Sequence, residues 1–522
     1  MQSPDYDVVI IGGAFSGASL ALLLKRARPE TRILIVERAL EFDRKVGEST
    51  SEVASCFLTR ILRIGHYMNR QHIAKQGLRM WFTEDSQTPI DQCTEIGGYY
   101  QSRLPAYQID RSQLDEHLLH LAQEAGCHLW RPAKVKDFTL QEGGLQEITL
   151  ETEGQTRTLR TRWLADASGK AATLSRKLGH WRKLDSHPTH SLWARFSGVG
   201  NLDSYEIARD YPSFAKAVRT SRDTATNHLM GRGWWCWIIP LKNGDVSLGL
   251  TYDSRLFQAP AGVNIAEKLL THVRAHPIGR LLFEKAEPVD TDMRAYAHLP
   301  YHTSQVCGDG WSCVGDAAGF MDPLYSQGLD YCAHTVFAAH KLILQALEDQ
   351  PMAGPVAALN TLFNQSYQRW YQSIYQDKYH YLGDAELTNA AFLMDLSCYF
   401  IGPVRLVYEN PEIEFALLPY SGPAGALFAR FMRFYNRRLA HIAQRRWAAG
   451  TYGACNTQHR YFVKAGFIPA LGPMFKSLRQ GICIWLKAEW KTLFLPRLNP
   501  AVTPTTPLEP SHLLGVKALA DH

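Results

Sequence analysis

The chain has 522 residues, of which 46% are hydrophobic, and it carries a formal net charge of +6. A chain of this length and composition buries at least one large core and folds into about two to four structural units. Its basic residues are spread along the sequence without a long run of Lys or Arg. This distribution argues against a nucleic-acid-binding protein.

Cysteine spacing and apolar runs exclude further classes of protein. The ten cysteines show neither a CxxC pair nor the Cys/His spacing of a zinc site, so we expect buried free thiols and no bound metal. The N-terminus lacks a basic segment followed by an apolar run, and no apolar stretch approaches the roughly 20 residues that cross a bilayer. We therefore expect a cytoplasmic globular protein.

The N-terminal residues predict a βαβ unit. Residues 6–11 form a β-branched run followed by glycines, residues 16–26 carry apolar side chains at helical spacing, and residues 33–36 form a second apolar run. Two strands joined by a helix pair in parallel, which predicts a parallel sheet covered by helices.

The middle of the chain predicts an antiparallel sheet. Residues 234–241 and 246–250 are strand-like and flank Asn243-Gly244, which is a strong signal for a hairpin turn. A buried strand at residues 311–314 follows, and residues 329–347 then have helical spacing.

These elements divide the chain into three regions. Residues 1–345 predict an α/β module with a Rossmann-like sheet and an antiparallel sheet inserted at about residues 185–290. Residues 346–495 are rich in aromatic residues and helix formers and predict a C-terminal helical domain. Residues 496–522 contain repeated prolines and predict a tail without a packed core of its own.

A glycine-rich segment follows the first predicted strand. It consists of Gly12, Gly13, Ala14, Phe15, Ser16 and Gly17, with Glu37 and Arg38 at the end of the next strand. This is the arrangement of a dinucleotide fingerprint, in which pyrophosphate meets the N–H groups of a helix N-terminus and the acid binds the adenosine ribose. Ala14 replaces the usual second glycine.

Two later segments resemble the further FAD motifs of the aromatic hydroxylase superfamily. They are Asp110-Arg111 before a helix and Gly315-Asp316 after an apolar strand. By that resemblance the cofactor is FAD, Asp316 bonds its ribityl chain, and Arg111 lies near the flavin and the pyrophosphate. The resemblance also places Gly319 at the cofactor.

Three segments resemble the flavin-dependent halogenases within this superfamily. Residues 235–240 match the WxWxIP motif, residues 320–328 match the FxxPxxSxG motif, and Gly47-Glu48-Ser49 resembles a segment that packs against the isoalloxazine ring. Alternate residues of a strand point the same way. By the resemblance, Trp235 and Trp237 form a wall that keeps an organic substrate away from the flavin.

The FxxPxxSxG resemblance implies roles for five residues. The N–H groups of Gln327 and Gly328 hold the halide, since consecutive turn amides form an anion nest. Ser326 joins the catalytic residues, and Pro323 and Tyr325 face the substrate. Tryptophan-type halogenases have a glutamate where this chain has Tyr325, and that carboxylate helps to neutralise a cationic arene. We therefore expect a phenol or pyrrole, which supplies its own electron density.

Lys75 falls at the position of the family's catalytic lysine, ahead of a strand that contains aromatic residues. A lysine suits this role because its ammonium can hydrogen-bond hypohalous acid, or its amine can form a haloamine when burial lowers the pKa. Lys45 lies closer to the fingerprint but matches no catalytic position.

The resemblance implies an FAD-dependent halogenase of secondary metabolism. It would use reduced FAD from a separate flavin reductase, oxygen, and chloride or bromide. Its substrate would be an electron-rich aromatic compound, either free or bound to a carrier protein. The basic, aromatic C-terminal region suits an acidic carrier or peripheral contact with a membrane equally well.

Three alternatives remain open on the same fold. An aromatic hydroxylase would insert oxygen without using a halide. A flavin-dependent reductase of isoprenoid lipids would turn over without oxygen, and a non-catalytic flavin-binding scaffold would form no product. Lys75 and the tryptophan pair favour the halogenase over the scaffold.

Overall fold

The structure is a computed structural model that describes residues 3–495, apart from the side chains of residues 290 and 291. The predicted proline-containing tail at residues 496–522 lies outside the described residues.

The strands and helices fall into two large sheets and a helical region. In chain order, the strands are β1 (Tyr6–Ile11), β2 (Ile33–Val36), β3 (Ile73–Ala74), β4 (Leu78–Phe82), β5 (Thr94–Gly98), β6 (Tyr107–Gln108), β7 (His128–Trp130), β8 (Ala133–Thr139), β9 (Gln146–Thr152), β10 (Gln155–Asp166), β11 (Trp181–Lys183), β12 (Thr189–Ser197), β13 (Thr226–Gly231), β14 (Trp234–Pro240), β15 (Val246–Asp253), β16 (Glu287–Tyr296), β17 (Tyr301–Thr303), β18 (Cys307–Gly308), β19 (Trp311–Cys313), β20 (Gly319–Phe320) and β21 (Arg460–Val463). The helices are α1 (Phe15–Ala27), α2 (Glu52–Cys56), α3 (Gly65–Gln71), α4 (Arg111–Glu124), α5 (Thr173–Lys177), α6 (Tyr205–Asp210), α7 (Pro212–Lys216), α8 (Ile265–Ala275), α9 (Pro277–Phe283), α10 (Gly328–Leu347), α11 (Ala353–Trp370), α12 (Ala385–Tyr399), α13 (Arg405–Glu409), α14 (Pro411–Glu414), α15 (Pro423–Ala448) and α16 (Leu471–Leu493).

The first sheet is the predicted Rossmann-like sheet. Its strand order is β18-β19-β10-β1-β2-β7, and β1 pairs in parallel with both β10 and β2. The last four residues of β1 are buried, as a central parallel strand covered on both faces requires. Helices α4 and α10 pack against α1. The predicted order of strand, glycine turn, helix and strand is confirmed.

The second sheet is larger than the predicted insertion. Its order is β16-β12-β15-β14-β13-β4-β5-β21, so it recruits β4 and β5 from the first hundred residues and β21 from the C-terminal region. The β13–β4 and β21–β5 pairs are parallel, and the sheet is therefore mixed. Local patterns identify strands but not distant partners, which explains why the sequence predicted only the hairpin of β14 and β15.

The second sheet buries both of its faces. Trp235 and Trp237 face the core that they share with the first sheet and the C-terminal helices, whereas Trp234 and Cys236 face the core under α8 and α9. Gly249 makes the first arrangement possible, because a Cβ atom there would lie 2.1 Å from the indole ring of Trp237. The predicted common direction of the two motif tryptophans is confirmed.

The C-terminal region is mainly helical, but its central helix was not anticipated. Residues 385–409 are long and apolar enough to cross a membrane by length and composition, so the expectation that no apolar stretch approaches this length is wrong. However, 78% of its most apolar window is buried inside the protein. Helix α12, at the start of this segment, packs against α15 and α16. An apolar helix buried in this way is typical of a protein core.

Arg446 joins two of these helices through buried ion pairs. Its guanidinium on α15 bonds both oxygens of Asp384 at 3.0 Å and one oxygen of Glu386 at 2.5 Å. Asp384 is also the N-cap of α12, where its side chain accepts the N–H of Leu387. The pairing fixes the start of α12 against α15.

We expect Arg446→Met to lower the free energy of unfolding by about 3–5 kcal/mol, because it leaves the buried carboxylate of Asp384 without its cation. Thermal or urea unfolding followed by circular dichroism measures the change. Arg430→Met on the exposed face of α15 is the matched control, and it should change stability by less than about 0.5 kcal/mol. Equal melting temperatures for the two variants would contradict this account.

Candidate active site

The turn between β1 and α1 requires glycine at two positions. Gly12 has φ +98°, and a Cβ atom there would lie 2.5 Å from the carbonyl oxygen of Ala167. A Cβ atom at Gly17 would lie 1.9 Å from the carbonyl oxygen of Gly12. Helix α1 therefore begins directly against the end of β1, as the close approach of a pyrophosphate requires.

The N-terminus of α1 has no side-chain cap. Ala14 is the N-cap residue, and the first turn contains no acidic residue. The first-turn N–H groups, including that of Ser16, are thus available to an anion. Glu37 is buried at the end of β2, where its carboxylate accepts the N–H groups of Gly13 at 2.8 Å and Ala39 at 2.9 Å. A carboxylate retains further acceptor sites for a ribose hydroxyl.

The other predicted FAD motifs converge on this helix end. Arg111 lies over the ring of Phe15, at 5.8 Å, and a Cβ atom at Gly47 would lie 2.9 Å from its Nη1. Burial raises the pKa of the Asp316 carboxyl, while the positive charge of Arg111 acts in the opposite direction. A buried acid near a fixed cation suits bonding to a ribityl hydroxyl. These residues fit an FAD molecule.

Three other predicted cofactor residues are less directly connected to this cradle. Arg38 is exposed. Gly319 pairs with His302 in the short β17–β20 ladder. The Glu48 carboxylate is buried 2.9 Å from Nε of Arg195, and burial raises its pKa to about 7 against the charge of that cation. Its observed partner is therefore a protein side chain of the second sheet.

Lys75 lies between β3 and β4 with its side chain buried. Its Nζ donates to Ser49 Oγ at 2.8 Å and to the carbonyl oxygen of Thr50 at 2.9 Å. Burial lowers the pKa of Lys75 to about 8, while the carboxylates of Glu52 and Asp330 act in the opposite direction. An ammonium has three donors, so one N–H remains beyond these two bonds.

Asp330 links the first turn of α10 to this lysine. Its carboxylate accepts the N–H of Ala54 at 2.9 Å, the hydroxyl of Tyr399 at 3.0 Å and the hydroxyl of Ser51. Burial raises the pKa of Asp330 to about 7, although these hydrogen bonds act in the opposite direction. Because Asp330 acts electrostatically on Lys75, the two groups belong to one buried cluster.

His228 connects the lysine to the tryptophan pair. Its ring centroid lies 5.5 Å from that of Trp235, and its Nδ1 lies 3.1 Å from the carbonyl oxygen of Arg79. Burial lowers the pKa of His228 to about 3, and the charge of Lys75 contributes to the shift. The imidazole is therefore neutral between the two groups at physiological pH.

The indoles of Trp235 and Trp237 lie 5.8 Å apart at an angle of 49°. Trp237 Nε1 donates to Ser247 Oγ at 3.1 Å, and Trp235 Nε1 donates to the hydroxyl of Tyr379 at 2.9 Å. The same hydroxyl donates to Asp322 at 2.8 Å. These bonds fix the tryptophan pair relative to residues 320–328.

Residues 320–328 form a loop with an unusual backbone. Tyr325 has φ 68° and Ser326 has φ 60°, so two consecutive residues with side chains adopt the left-handed conformation. The N–H of Ser326 donates to the carbonyl oxygen of Pro323 at 3.1 Å. The loop then enters α10, whose N-cap is Gln327. Such backbone strain persists only where the surroundings enforce it.

Side chains from residues 367–379 enforce this loop, and we call them the C-terminal clamp. The clamp bonds are Tyr367 OH to Phe320 O at 2.9 Å, Trp370 Nε1 and Tyr375 OH to Gln327 Oε1 at 2.9 Å each, Lys378 Nζ to Tyr325 OH at 3.4 Å, and Tyr379 OH to Asp322 Oδ2 at 2.8 Å. Tyr375 OH also lies 3.3 Å from Leu324 O, so the clamp bonds five of the nine loop residues, and Gln327 receives two of these bonds.

A π-helical turn at Tyr371–Tyr375 makes this double contact possible. The turn closes hydrogen bonds between residues five apart, as in the bond from the Gln376 N–H to the Tyr371 carbonyl oxygen. Trp370 and Tyr375 are also five apart and consequently reach the same oxygen of Gln327. Both donors would diverge on a regular α-helix.

Tyr325 occupies a buried polar cluster. Its hydroxyl donates to Asp395 at 3.2 Å, and Asp395 also pairs with Lys378 and accepts the hydroxyl of Tyr435 at 2.5 Å. Burial and the charge of Asp395 raise the pKa of Tyr325 well above its usual value. The phenol is therefore neutral, and the charge of the nearby carboxylate is compensated by Lys378.

Sequence reasoning did not single out the charged members of these clusters. Asp330, Lys378 and Asp395 are each buried within or beside apolar helices. A charged residue in an apolar helix is buried only with a partner. Its presence in an apolar sequence could therefore have identified these three residues as members of buried polar clusters. The aromatic richness of the clamp segment was evident, but the spacing of five residues does not match a helical face.

The cysteines and potential metal ligands give no second site. All ten cysteines are free thiols, and eight of them are buried. Within residues 3–495, no group of three or more His, Cys, Asp or Glu side chains is placed to hold a metal ion.

Comparison with known proteins places this geometry in a family. The profile described as Tryptophan halogenase matches residues 67–382, which is more than half of the chain. The chain belongs to this halogenase family. The predicted enzyme class, an FAD-dependent halogenase, and the predicted fold class are thereby confirmed.

Individual halogenases are similar over most of the chain. The tetracycline 7-halogenase of Kitasatospora aureofaciens is 26% identical over 77% of this chain and 75% of its own length. The 1H-pyrrole-2-carbonyl-[peptidyl-carrier protein] brominase of Pseudoalteromonas luteoviolacea is 26% identical over 68% and 80%, respectively. The structure of halogenase PltM in complex with phloroglucinol and FAD aligns with a TM-score of 0.72 at 17% identity, covering 93% of this chain and 98% of that one. For eight of the curated relatives, the alignments span 57–84% of the relative's own length.

We expect Gly17→Ala to weaken FAD binding by about tenfold or more, because the added methyl group collides with the Gly12 carbonyl and displaces α1 from the pyrophosphate position. Flavin fluorescence titration measures the dissociation constant. Gly354→Ala is the control, since a Cβ atom there meets nothing within 4 Å. Unchanged FAD affinity in a folded Gly17→Ala protein would contradict the proposed cradle.

Proposed function

We propose that this halogenase transfers an electrophilic halogen from hypohalous acid to a phenolic or pyrrolic substrate, with Lys75 as the residue that directs the transfer. The buried side chain of Lys75, with two N–H donors bonded and a third remaining, is the observation that carries this proposal. Reduced FAD, when bound, supplies the electrons with which oxygen converts chloride or bromide to hypohalous acid. A separate flavin reductase is the proposed source of reduced cofactor.

The N-terminus of α10 is the proposed halide position. Gln327 and Gly328 begin the helix, so their N–H groups have no acceptor within it. The N-cap provides no side-chain bond to the first turn. Two such amides, together with the positive end of the helix dipole, attract a small anion. The C-terminal clamp supports this assignment because it fixes Gln327 through its side chain and leaves its N–H available.

Lys75 acts on hypohalous acid as a hydrogen-bond donor. Its pKa of about 8 keeps the ammonium as the main form at neutral pH. The third N–H donates to the oxygen of the acid and makes the halogen more electrophilic. The substrate carbon then bonds the halogen as the oxygen–halogen bond breaks, and the arene proton combines with the departing hydroxide as water.

The surroundings of Tyr325 favour a substrate that is already electron-rich. Asp395 is the nearest carboxylate to this phenol, and its charge is compensated by Lys378. An arene such as indole would lack an uncompensated carboxylate here to stabilise its cationic intermediate. A phenol or pyrrole instead releases a proton from its own heteroatom. The names of the relatives point to a similar range, from a tetracycline to a carrier-bound pyrrole.

Incubation with FAD, a flavin reductase, NADH, oxygen and bromide tests the proposal on a panel of phenols, carrier-bound and free pyrroles, and tryptophan. Mass spectrometry should detect bromine isotope pairs in phenol or pyrrole products and none in tryptophan. Oxygenated products that form equally well without halide would instead establish an aromatic hydroxylase. Formation of bromotryptophan as the main product would overturn the substrate class.

We expect Lys75→Met to lower the halogenation rate by about 10²–10³-fold, the usual cost of removing one donor at a reacting oxygen. Oxygen consumption and the release of free hypohalous acid to a chemical trap should continue. The variant would still oxidise the halide but would no longer direct the halogen to the substrate. Lys285→Met, at an exposed position, is the control. Full bromination by Lys75→Met would eliminate Lys75 as the directing residue.

The pKa of Lys75 also predicts the pH dependence. Burial has lowered this pKa to about 8, so the ammonium donor is present below that pH and is lost above it. The single-turnover halogenation rate should therefore fall by about tenfold per pH unit well above 8. Glu52→Gln should move the decline to lower pH, because the charge of Glu52 holds the pKa up. A rate that rises above pH 8 would indicate a neutral amine and haloamine chemistry instead.

The clamp predicts how the halide site responds to mutation. Tyr375→Phe combined with Trp370→Phe removes both donors to Gln327 Oε1. We expect the KM for bromide to rise by about tenfold or more, because the clamp no longer fixes the N–H groups of Gln327 and Gly328. The KM for the aromatic substrate should change less. Tyr408→Phe, at a tyrosine outside the clamp, is the matched control. Equal changes in the two KM values would show that the clamp acts on the protein as a whole.

A further inference from the structure

Helix α16 has five large apolar side chains on its outer face. The face that packs on α12 carries small residues, namely Ser477, Gly481, Ala488 and Thr492, together with Met474 and Trp485. The packing at Gly481 is especially close, since a Cβ atom there would lie 3.0 Å from the carbonyl oxygen of Ala390. This buried face holds the helix in the fold, and packing within the protein does not account for the large apolar side chains on the opposite face.

That outer face carries an apolar stripe, which the exposed Arg479 interrupts between Phe475 and Leu486. The stripe consists of Phe475, Leu486, Trp490, Leu493 and Phe494, of which the last three are 65%, 67% and 76% exposed. At helical spacing these residues fall within an arc of about 100° and extend over about 28 Å. Phe434 on α15 is also exposed, and its ring centroid lies 5.8 Å from that of the buried Trp485. An exposed apolar surface of this extent marks an interaction site.

The same two helices concentrate the positive charge of the protein. Helices α15 and α16 contain ten basic residues and one acidic residue, so their net charge exceeds the +6 of the whole chain. The acid, Glu489, is paired with Arg438 at 2.8 Å and accepts a bond from Trp485 at 3.0 Å. Exposed basic residues lie within or beside the apolar stripe, and they are Lys476, Arg479, Lys487 and Lys491.

We propose that this face docks on an anionic lipid surface. Large aliphatic and aromatic side chains beside long basic ones are the composition that inserts at the level of the headgroups. Anionic headgroups would compensate the positive charge of this face. A second copy of the same face carries the same positive charge and would repel it. An acidic protein would also compensate the charge, and binding of the face to such a protein without any binding to vesicles would overturn the lipid proposal.

Vesicle sedimentation of the full chain tests this proposal. The protein should bind vesicles of phosphatidylcholine mixed with phosphatidylglycerol, bind phosphatidylcholine alone weakly, and dissociate as salt is raised, because salt screens the attraction to headgroups. Trp490→Ser combined with Phe494→Ser should reduce the partition coefficient by about tenfold or more. The matched control is Leu40→Ser combined with Tyr205→Ser, since these side chains are 72% and 77% exposed elsewhere on the surface.

Several results would overturn it. The first is that the full chain stays in the supernatant with anionic vesicles. The second is that Leu40→Ser combined with Tyr205→Ser loses as much binding as Trp490→Ser combined with Phe494→Ser. The third is that vesicle binding appears only after residues 496–522 are removed. A dimer that Trp490→Ser with Phe494→Ser converts to a monomer in analytical ultracentrifugation, without any vesicle binding, would assign the face to a second copy. Halogenation of a soluble arene should be unchanged in that variant, so failure of the docking proposal is distinguishable from failure of the proposed activity.

Discussion

The arrangement of this site depends on hydrogen bonds that hold residues 320–328 from outside. Left-handed backbone at Tyr325 and Ser326 costs about 1–3 kcal/mol for each residue, so the loop needs external bonds to keep its shape. Those bonds come from side chains of the C-terminal region, chiefly to Gln327 and Asp322. The helical region is thus a structural part of the candidate active site, although it lies beyond the cofactor-binding sheet in sequence.

The same dependence extends to Lys75 through buried charges. Asp330 stands three residues after Gln327, and its hydrogen-bond partners include Tyr399 from α12 and Ser51 from the segment that carries the lysine acceptors. Removing charge from water strengthens each such interaction and makes each unpaired group costly. The position of α10 therefore influences both the loop amides and the electrostatic environment of the lysine.

Local patterns in the sequence were sufficient for the βαβ unit of the first sheet and for the direction of the motif tryptophans. The glycine turn before α1 and the alternation in β14 are properties of neighbouring residues, and both are confirmed. The pairing of β21 with β5 and the contact between Trp370 and Gln327 join residues far apart in the chain. The periodicity of a sequence predicts local structure and not such long-range contacts. In a π-helical turn the side chains also depart from the α-helical spacing that sequence-based prediction uses.

Strand β21 has a consequence for how the chain can be shortened. All five residues of β5 are buried, and β21 covers the backbone edge of that strand. Removing the chain from any point before Arg460 would expose this edge, whose open N–H and C=O groups template association with other molecules. A truncated form would accordingly tend to aggregate, and the second sheet and the C-terminal region must be expressed together.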